Sequence, residues 1–332
     1  MSTKIKPSKG APYARILGVG GYRPVRVVPN EVILETIDSS DEWIRSRSGI
    51  ETRHWANDEE TVAAMSLEAS GKAIADAGIS AEQIGGVIVS TVSHFKQTPA
   101  VATEIADKLG TNKAAAFDIS AGCAGFGYGL TLAKGMIVEG SAEYVLVIGV
   151  ERLSDLTDLE DRATAFLFGD GAGAVVVGPA KEPHIGPTVW GSEGDKSETI
   201  KQTVPWTEYD STGKFPAITQ EGQAVFRWAV FEMAKVAQQA LDAAGITPDD
   251  LDVFIPHQAN ERIIDSMVKT LKLPEHVTVA RDVRTTGNTS AASIPLAMER
   301  LLATGEAKSG DTALVIGFGA GLVYAATVVT LP

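Results

Sequence analysis

Three residues of this 332-residue chain combine a reactive side chain with a placement that could serve chemistry: Cys123, His257 and Asn288. Cys123, the sole cysteine, sits in Asp118-Ile-Ser-Ala-Gly-Cys-Ala-Gly-Phe-Gly. An apolar strand enters, a Gly/Ala-rich turn follows, and a helix opens at or just after the cysteine. A sulfur at a helix N-terminus meets unpaired N–H groups and the positive end of the dipole, which favour thiolate over thiol. Small neighbours let a substrate approach the backbone. A lone cysteine is also a common core filler, so the local sequence leaves both roles open. His257 follows a strand in Ile255-Pro-His-Gln-Ala-Asn, where a hydrogen-bonded structural histidine and a functional one both fit. Asn288, in Thr285-Thr-Gly-Asn-Thr-Ser-Ala-Ala, reads by itself as turn and N-cap chemistry.

Composition removes several classes of function. With 42 acids against 29 bases the formal charge is −13, which argues against generic nucleic-acid or membrane-surface binding. One cysteine excludes an intrachain disulfide framework and a Cys-rich metal site. No apolar run reaches the ~18 residues of a membrane span, and no apolar stretch follows the first basic residues as in a secretory signal. A cytoplasmic protein without a metal is expected. Gly169-Asp-Gly-Ala-Gly and Gly317-Phe-Gly-Ala-Gly miss the dinucleotide fingerprint, and no Walker motif is present, so no nucleotide cofactor is expected. The N–H groups of residues 317–321 could instead face the thiol as an oxyanion hole.

The elements that must position these residues occur twice. Residues 66–92 and 231–258 each read as an amphipathic helix closed by Gly-Ile, a polar turn and a short apolar strand. Cys123 leads into a helix ending at Gly140 and a strand Tyr144–Ile148; Asn288 leads into a helix ending near Gly305 and a strand Ala313–Ile316. The offsets between the halves are 165 to 168 residues, and they make Asn288 the counterpart of Cys123. Runs such as 173–177 suit strands covered on both faces. The expected organisation is an N-terminal half, 1–181, an irregular Gly/Pro/Ser/Thr-rich connection, 182–222, forming a pocket wall with Trp206, and a C-terminal half, 223–332. The duplicated α/β halves would form a layered α/β/α/β/α body with ligands at strand C-terminal ends. If a pseudo-two-fold axis relates the halves, Cys123, His257 and Asn288 share one cleft, and His94 lies near it.

Taken together, the motifs resemble those of β-ketoacyl-acyl carrier protein synthase III, a thiolase-fold condensing enzyme. The matching stretches are Asp41-Glu-Trp-Ile-x-x-Arg47-x-Gly-Ile, Asp118 to Gly129, Phe168-Gly-Asp-Gly-Ala-Gly-Ala, His257-Gln-Ala-Asn, Gly287-Asn-Thr-Ser-Ala-Ala-Ser and Gly317-Phe-Gly-x-Gly. The resemblance covers nearly the whole chain. It implies a homodimeric acyltransferase that starts fatty-acid synthesis. Cys123 would take an acyl group from acyl-CoA, malonyl-acyl carrier protein would lose carbon dioxide, and its carbanion would attack the acyl thioester. His257 and Asn288 would stabilise the enolate, and the N–H groups of Cys123 and Ala320 would form the oxyanion hole. Relatives usually carry Gly at the Ala320 position. The resemblance further assigns Trp43, Arg47, Arg162, Phe168 and Phe318 to the CoA substrate, and Arg227, Arg262 and Lys269 to docking of the acidic carrier protein. Thr98 falls where some relatives carry Phe reaching into the partner's acyl pocket. A smaller residue there implies room for branched or longer primers.

Other readings keep the same residues. A non-decarboxylating thiolase needs a second cysteine in the loop that here reads Phe318-Gly-Ala-Gly. A Cys-His-Asn hydrolase would release free acid. A sister enzyme priming a specialised polyketide would differ only in substrate. A non-catalytic scaffold would have no need of the intact set.

Overall fold

The computed structural model describes residues 5–209 and 215–332. Among these residues, two five-stranded sheets carry the fold. The first holds β1 (Tyr13–Tyr22), β4 (Ile84–Ser90), β5 (Ala115–Ile119), β6 (Tyr144–Arg152) and β7 (Asp170–Ala180), in the order β1-β7-β6-β4-β5. The second holds β8 (Val189–Ser192), β11 (Val253–Pro256), β12 (Thr278–Val279), β13 (Thr312–Gly319) and β14 (Val323–Thr330), in the order β12-β11-β13-β14-β8. Read from opposite edges the two orders coincide. In each, the strand next to one edge, β4 or β11, has parallel neighbours on both sides; the central strand, β6 or β13, pairs parallel with it and antiparallel with the strand beyond, and the last strand is antiparallel again. Two ribbons, β2 (Arg26–Pro29) with β3 (Thr52–Trp55) and β9 (Ile200–Gln202) with β10 (Ile218–Gln220), stand apart.

Strand side chains alternate between two buried faces, which explains the unbroken apolar runs. Val145 and Val147 of β6 point inward, onto Phe126 and Leu130 of the helix Gly125–Glu139. Leu146 and Ile148 point outward, onto the helix Val62–Asp76. The second sheet repeats this, with Val253 and Ile255 inward and Phe254 outward. The helices Gly125–Glu139 and Ser293–Thr304 therefore fill the layer between the sheets, while Gly222–Ala244 and Glu261–Leu271 cover the far side. The result is the thiolase-like α/β/α/β/α sandwich. Each large apolar side chain buried in the middle layer contributes about 1.5–3 kcal/mol.

The duplication is tighter than the sequence offsets implied. The single 3-10 turns Gly122–Ala124 and Ser290–Ala292, the helices starting at 125 and 293, and the strands starting at 144 and 312 are each 168 residues apart. That register pairs Cys123 with Ala291 and corrects the expected pairing with Asn288, which lies three residues upstream. The offset of 165 arose from matching two turn motifs by composition. Residues 182–222 are likewise not wholly irregular: β8 borders the second sheet along Val323 to Ala326, and β9 and β10 form a ribbon.

The two halves touch where each turn crosses the other half's central strand. A Cβ on Gly149 of β6 would lie 2.1 Å from the Ala291 carbonyl oxygen. Its counterpart, Gly317 of β13, would place one 2.7 Å from the Cys123 carbonyl oxygen. Backbone lies against backbone at both crossings, so neither site can yield by moving a side chain. We expect Gly149→Ala to destabilise the protein by about 3 kcal/mol or more and to lower the thermal midpoint by several degrees. An unchanged melting curve would contradict the packing.

Candidate active site

The turn that carries Cys123 is held from below and above. Asp118, at the end of β5, accepts from the N–H groups of Val101 (2.8 Å) and Ala102 (2.9 Å), fastening the strand to the start of the helix Val101–Lys108. Cys123 then occupies the middle of the 3-10 turn preceding Gly125–Glu139. From above, β13 closes over it. A Cβ on Gly319 would stand 2.8 Å from Sγ and 3.2 Å from the Cys123 nitrogen, so only glycine fits. A Cβ on Gly122 would touch the nitrogen, oxygen and methyl of Ala320 at 3.5 Å each. The Ala320 backbone therefore sits beside the turn that carries Cys123, with its methyl against Gly122.

His257 follows β11 directly, and its N–H donates to the Ile316 carbonyl at 2.7 Å. Nδ1 lies 2.7 Å from Ser293 Oγ, and the ring meets Phe318 edge-on, 5.5 Å between centroids. Ser293 Oγ also accepts from the Gln258 N–H at 3.4 Å, so its own hydrogen is free for Nδ1. With Ser293 donating to Nδ1, the imidazole proton sits on Nε2 and can be donated from there. Burial without a charged partner pushes the imidazole down to about 3, so it stays neutral in working conditions. Asn288 is pinned through its backbone, donating to Leu167 O (2.9 Å) and accepting from Gly169 N (3.0 Å). Its Oδ1 accepts from the Ser290 N–H at 2.8 Å, which leaves Nδ2 as the available donor. The turn chemistry visible in the sequence is thus present and serves to orient the amide.

Cys123, His257, Asn288, Phe168, Phe318 and Ala320 line one cavity of about 500 Å³. His94 and Trp206 line it too; Trp206 packs on Phe95 and Phe215 at 5.2 and 5.5 Å. Val225, Ala259, Ile263 and Asn288 continue into an outer cavity of about 820 Å³, bordered by Trp43, Arg47, Arg162, Arg227 and Arg262. Asn260 builds that mouth. Its Oδ1 caps the helix Glu261–Leu271 through Arg262 N (2.9 Å), and its Nδ2 donates to Arg47 O (2.9 Å). Trp43 stands edge-on to Phe166 at 5.4 Å, with the Arg162 guanidinium over its face at 4.7 Å. Two sequence candidates lie elsewhere. Thr98 is exposed and lines neither cavity of its own chain, although Lys96 and Gln97 from the same segment do. Lys269 is exposed on its helix, beyond the mouth.

The expected bias of Cys123 toward thiolate is not what its surroundings give. Burial pushes the thiol up to about 12, and the nearby Glu151 carboxylate adds to this, against a lowering hydrogen bond from Ser290. Desolvation outweighs the helix terminus. Passing the thiol proton directly to an imidazole near 3 would cost on the order of 10 kcal/mol. Sequence reasoning also missed Ser293, Ser290 and Glu151. The two serines stand in the quoted Ser-Ala-Ala-Ser run, but the His257 partner of Ser293 lies 36 residues away, and the Ser93 that holds Glu151 lies 58 residues from it.

A Cys-His-Asn set gathered in one cavity of a duplicated α/β/α/β/α sandwich defines a thiolase-fold condensing enzyme. Two family models match the chain: 3-oxoacyl-[acyl-carrier-protein (ACP)] synthase III over residues 117–194, and its C-terminal counterpart over 241–331. A β-ketoacyl-[acyl-carrier-protein] synthase III of Streptomyces glaucescens is 92% identical, covering 99% of this chain and 100% of that one. A mycobacterial β-ketoacyl-[acyl-carrier-protein] synthase III of Mycobacterium marinum is 54% identical, with 99% of each chain covered. Among solved structures, a priming β-ketosynthase of the R1128 polyketide pathway superposes with a TM-score of 0.96 at 45% identity, covering 100% of this chain and 99% of that one. The 3-oxoacyl-[acyl-carrier-protein] synthase III of Aquifex aeolicus VF5 gives 0.88 at 38%, covering 96% and 99%. This chain belongs to the β-ketoacyl-acyl carrier protein synthase III family, the condensing acyltransferases that initiate fatty-acid synthesis. Among the described residues no helix is long and apolar enough to cross a membrane.

Gly319→Ala places a methyl against both the sulfur and the nitrogen of Cys123. We expect it to slow acylation of Cys123 about 100-fold or more, the usual penalty for a misplacement near 1 Å. The thermal midpoint should fall far less than in Gly149→Ala. Intact-mass kinetics with acetyl-CoA check this, and a rate near that of the unaltered protein would refute the close approach.

Proposed function

We propose that the chain runs the condensation in two half-reactions through Cys123. In the first, Sγ attacks the acyl-CoA carbonyl, the carbon–sulfur bond to CoA breaks, and the acyl group stays on Cys123. The N–H groups of Cys123 and Ala320 stabilise the tetrahedral oxyanion. In the second, malonyl-acyl carrier protein loses carbon dioxide, and the negative charge falls on its thioester oxygen. The Nε2–H of His257 and the Nδ2–H of Asn288 receive it. The α-carbon then attacks the acyl-Cys123 carbonyl, the bond from that carbon to Sγ breaks, 3-ketoacyl-acyl carrier protein leaves, and the freed sulfur takes up a proton from solvent to restore the thiol. The observation that carries this reading is two neutral donors, each fixed by its other end, beside a half-buried thiol in one cavity. Removing either donor should cost about 100- to 1,000-fold in decarboxylation. No cofactor takes part.

The mouth suits CoA. Trp43 and Arg162 offer flat faces to the adenine, and Arg47 and Arg162 can pair with phosphates. Seating a base between Trp43 and Arg162 would widen their 4.7 Å separation to about 7 Å, two van der Waals layers. Phe168 and Phe318 line the inner passage. Arg227, Arg262 and Lys269 have no acidic partner among the described residues, and they offer the acidic carrier protein a local cationic surface on a chain of net −13. In a homodimer Thr98 would reach the partner's acyl pocket and leave space for branched primers. The enzyme would work in the cytoplasm. The priming ketosynthase similarity at TM-score 0.96 keeps a specialised polyketide role as the second reading.

Intact-protein mass after incubation with acetyl-, isobutyryl- and longer acyl-CoAs tests the first half-reaction. One acyl adduct is expected, absent in Cys123→Ala, and the reacting primers define the pocket. No adduct from any acyl-CoA would point to an acyl carrier protein as donor and overturn this assignment.

The second half-reaction has a pH signature. Because the His257 imidazole is held down to about 3, it stays neutral as pH falls from 8 to 5. Decarboxylation of malonyl-acyl carrier protein should therefore show no histidine-like loss of rate over that range. A fall centred near the ordinary histidine value would overturn the neutral-donor role.

A further inference from the structure

Arg53 is a fully buried arginine that neither half-reaction uses. It stands on β3, where side chains alternate between faces, so Arg53 and Trp55 point the same way. Together they bond alternate carbonyls of one stretch. Arg53 Nη2 donates to Phe166 O at 2.8 Å, and Trp55 Nε1 donates to Phe168 O at 3.3 Å. The Leu167 carbonyl between them accepts instead from the Asn288 N–H. On its other side Arg53 Nη2 donates to Asn30 Oδ1 at 2.7 Å, and Nη1 donates to Val28 O at 3.2 Å. Asn30 is buried as fully and extends the chain of bonds. Its Nδ2 donates to Asp41 Oδ1 at 2.7 Å and to Ile50 O at 2.9 Å. Asp41 opens the helix Asp41–Ser48 and Ile50 lies just past its end, so one amide holds the helix at both ends.

These bonds reach both walls of the outer cavity. The helix Asp41–Ser48 carries Trp43 and Arg47, and the stretch leading to Phe166 carries Arg162. Burying a guanidinium is costly, and among the described residues no carboxylate bonds Arg53 directly; the nearest negative charge it works with is Asp41, one amide away. What the guanidinium supplies that an apolar side chain would not is a rigid fork of donors reaching three separate segments at once. We propose that Arg53 is a positioning residue for the CoA substrate. Through Asn30 and Asp41 it fixes the helix that carries Trp43, and through Phe166 O it fixes the stretch that carries Arg162. The two faces that take the adenine are thereby set opposite each other. This rests on the placement of the CoA nucleotide at the mouth.

The ties act on the walls and leave their tips free. Arg162 is exposed and Trp43 half-buried, so these side chains can part to admit a base while the backbone that carries them stays in place. The stem of Arg53 is held as closely as its head. A Cβ on Gly287 would lie 2.9 Å from Arg53 Cβ, and one on Gly169 would lie 3.3 Å from it. Gly287 precedes Asn288, and the Gly169 N–H donates to Asn288 O, so Arg53 cannot shift without meeting the loop that presents Asn288. At the outer end, Asp41 Oδ2 accepts from Arg45 Nε at 2.7 Å on the helix surface. Of the two side-chain bonds that Asp41 makes, only the one to Asn30 leads inward to Arg53.

Acylation of Cys123 by acetyl-CoA and by acetyl-pantetheine, which carries the same thioester and no nucleotide, tests this when followed by intact mass over a range of concentrations. The unaltered protein should half-saturate at a lower concentration of acetyl-CoA than of acetyl-pantetheine. Asp41→Ala should raise the half-saturating concentration of acetyl-CoA about 10-fold, inside the range that one stacked base contributes. Its maximal rate, and its whole reaction with acetyl-pantetheine, should stay within about 2-fold of normal, the mark of lost binding rather than lost chemistry. Asp41→Asn loses the Arg45 ion pair as well but keeps an oxygen for Asn30, so it should recover most of the affinity. Arg53→Lys keeps the charge but cannot span Asn30 and Phe166 together, and it should behave as Asp41→Ala does. Asp41 is partly exposed, so its two variants answer the question should Arg53→Lys fold poorly. An equal loss with both thioesters overturns the proposal and marks the network as structural. So does normal acetyl-CoA binding in Asp41→Ala, or an Asp41→Asn variant no better than Asp41→Ala, which would assign the effect to Arg45. If the unaltered protein shows no preference for acetyl-CoA over acetyl-pantetheine, the nucleotide seat at the mouth is what fails.

Discussion

The close contact between each half's turn and the other half's central strand governs the rest of this molecule. Gly149 lies against the carbonyl of Ala291 and Gly317 against that of Cys123, in the same register and with the halves exchanged. A strand with side chains at these points would hold the turns several ångströms off. The glycines let them sink onto the sheets, and the helices 125–139 and 293–304 then fill the middle layer with apolar surface. Burial supplies the free energy. The glycine crossings decide where the turns stop, and the active site inherits that precision because Cys123 belongs to one turn and Asn288 leads into the other.

Function arises where the symmetry fails. The register of 168 relates Cys123 to Ala291, Gly122 to Ser290, and Glu151 to Gly319. Beneath the first turn the strand carries a glycine, whose missing side chain makes room for the sulfur. Beneath the second turn the equivalent strand carries a carboxyl, and the turn answers with a hydroxyl. One crossing has become a space for the sulfur, and the other carries a buried polar cluster in which Ser93, Thr91 and the Val92 N–H hold Glu151. A fully symmetric duplication would have neither.

Much of this was readable in the residues. Alternating strands buried on both faces, glycine-closed helices and the repeated order of elements all follow from local chemistry, and the sandwich follows from them. Cys123, His257 and Asn288 were each ambiguous alone and became informative through their shared position at strand ends. What stayed hidden depended on distance. The loop before Asn288 differs in length from the loop before Cys123, so matching by composition slipped the register by three residues. Ser293 and Glu151 meet partners far along the chain, His257 for one and Thr91, Val92 and Ser93 for the other, which no spacing rule connects. The thiol shows the same limit in its sign: a helix start can be seen in sequence, whereas the desolvation that outweighs it comes from β13 folding over the turn.

The electrostatics divide along the same path. At the mouth, Arg47, Arg162, Arg227 and Arg262 stand at the surface, where charge can attract anionic partners at little desolvation cost. Inside, the functional groups are a thiol, a neutral imidazole, an amide and hydroxyls, with one carboxyl set behind Ser290. This order suits a reaction whose charge is transient. A permanent cation beside the nucleophile would stabilise a thiolate at rest and lessen its gain on reaching the transition state. Fixed neutral dipoles act fully only when an oxyanion forms, and in a dry cavity they need not reorganise to do so. The high resting position of the Cys123 thiol and the low one of His257 then have one leading cause, desolvation in a cavity that sets no cation beside either.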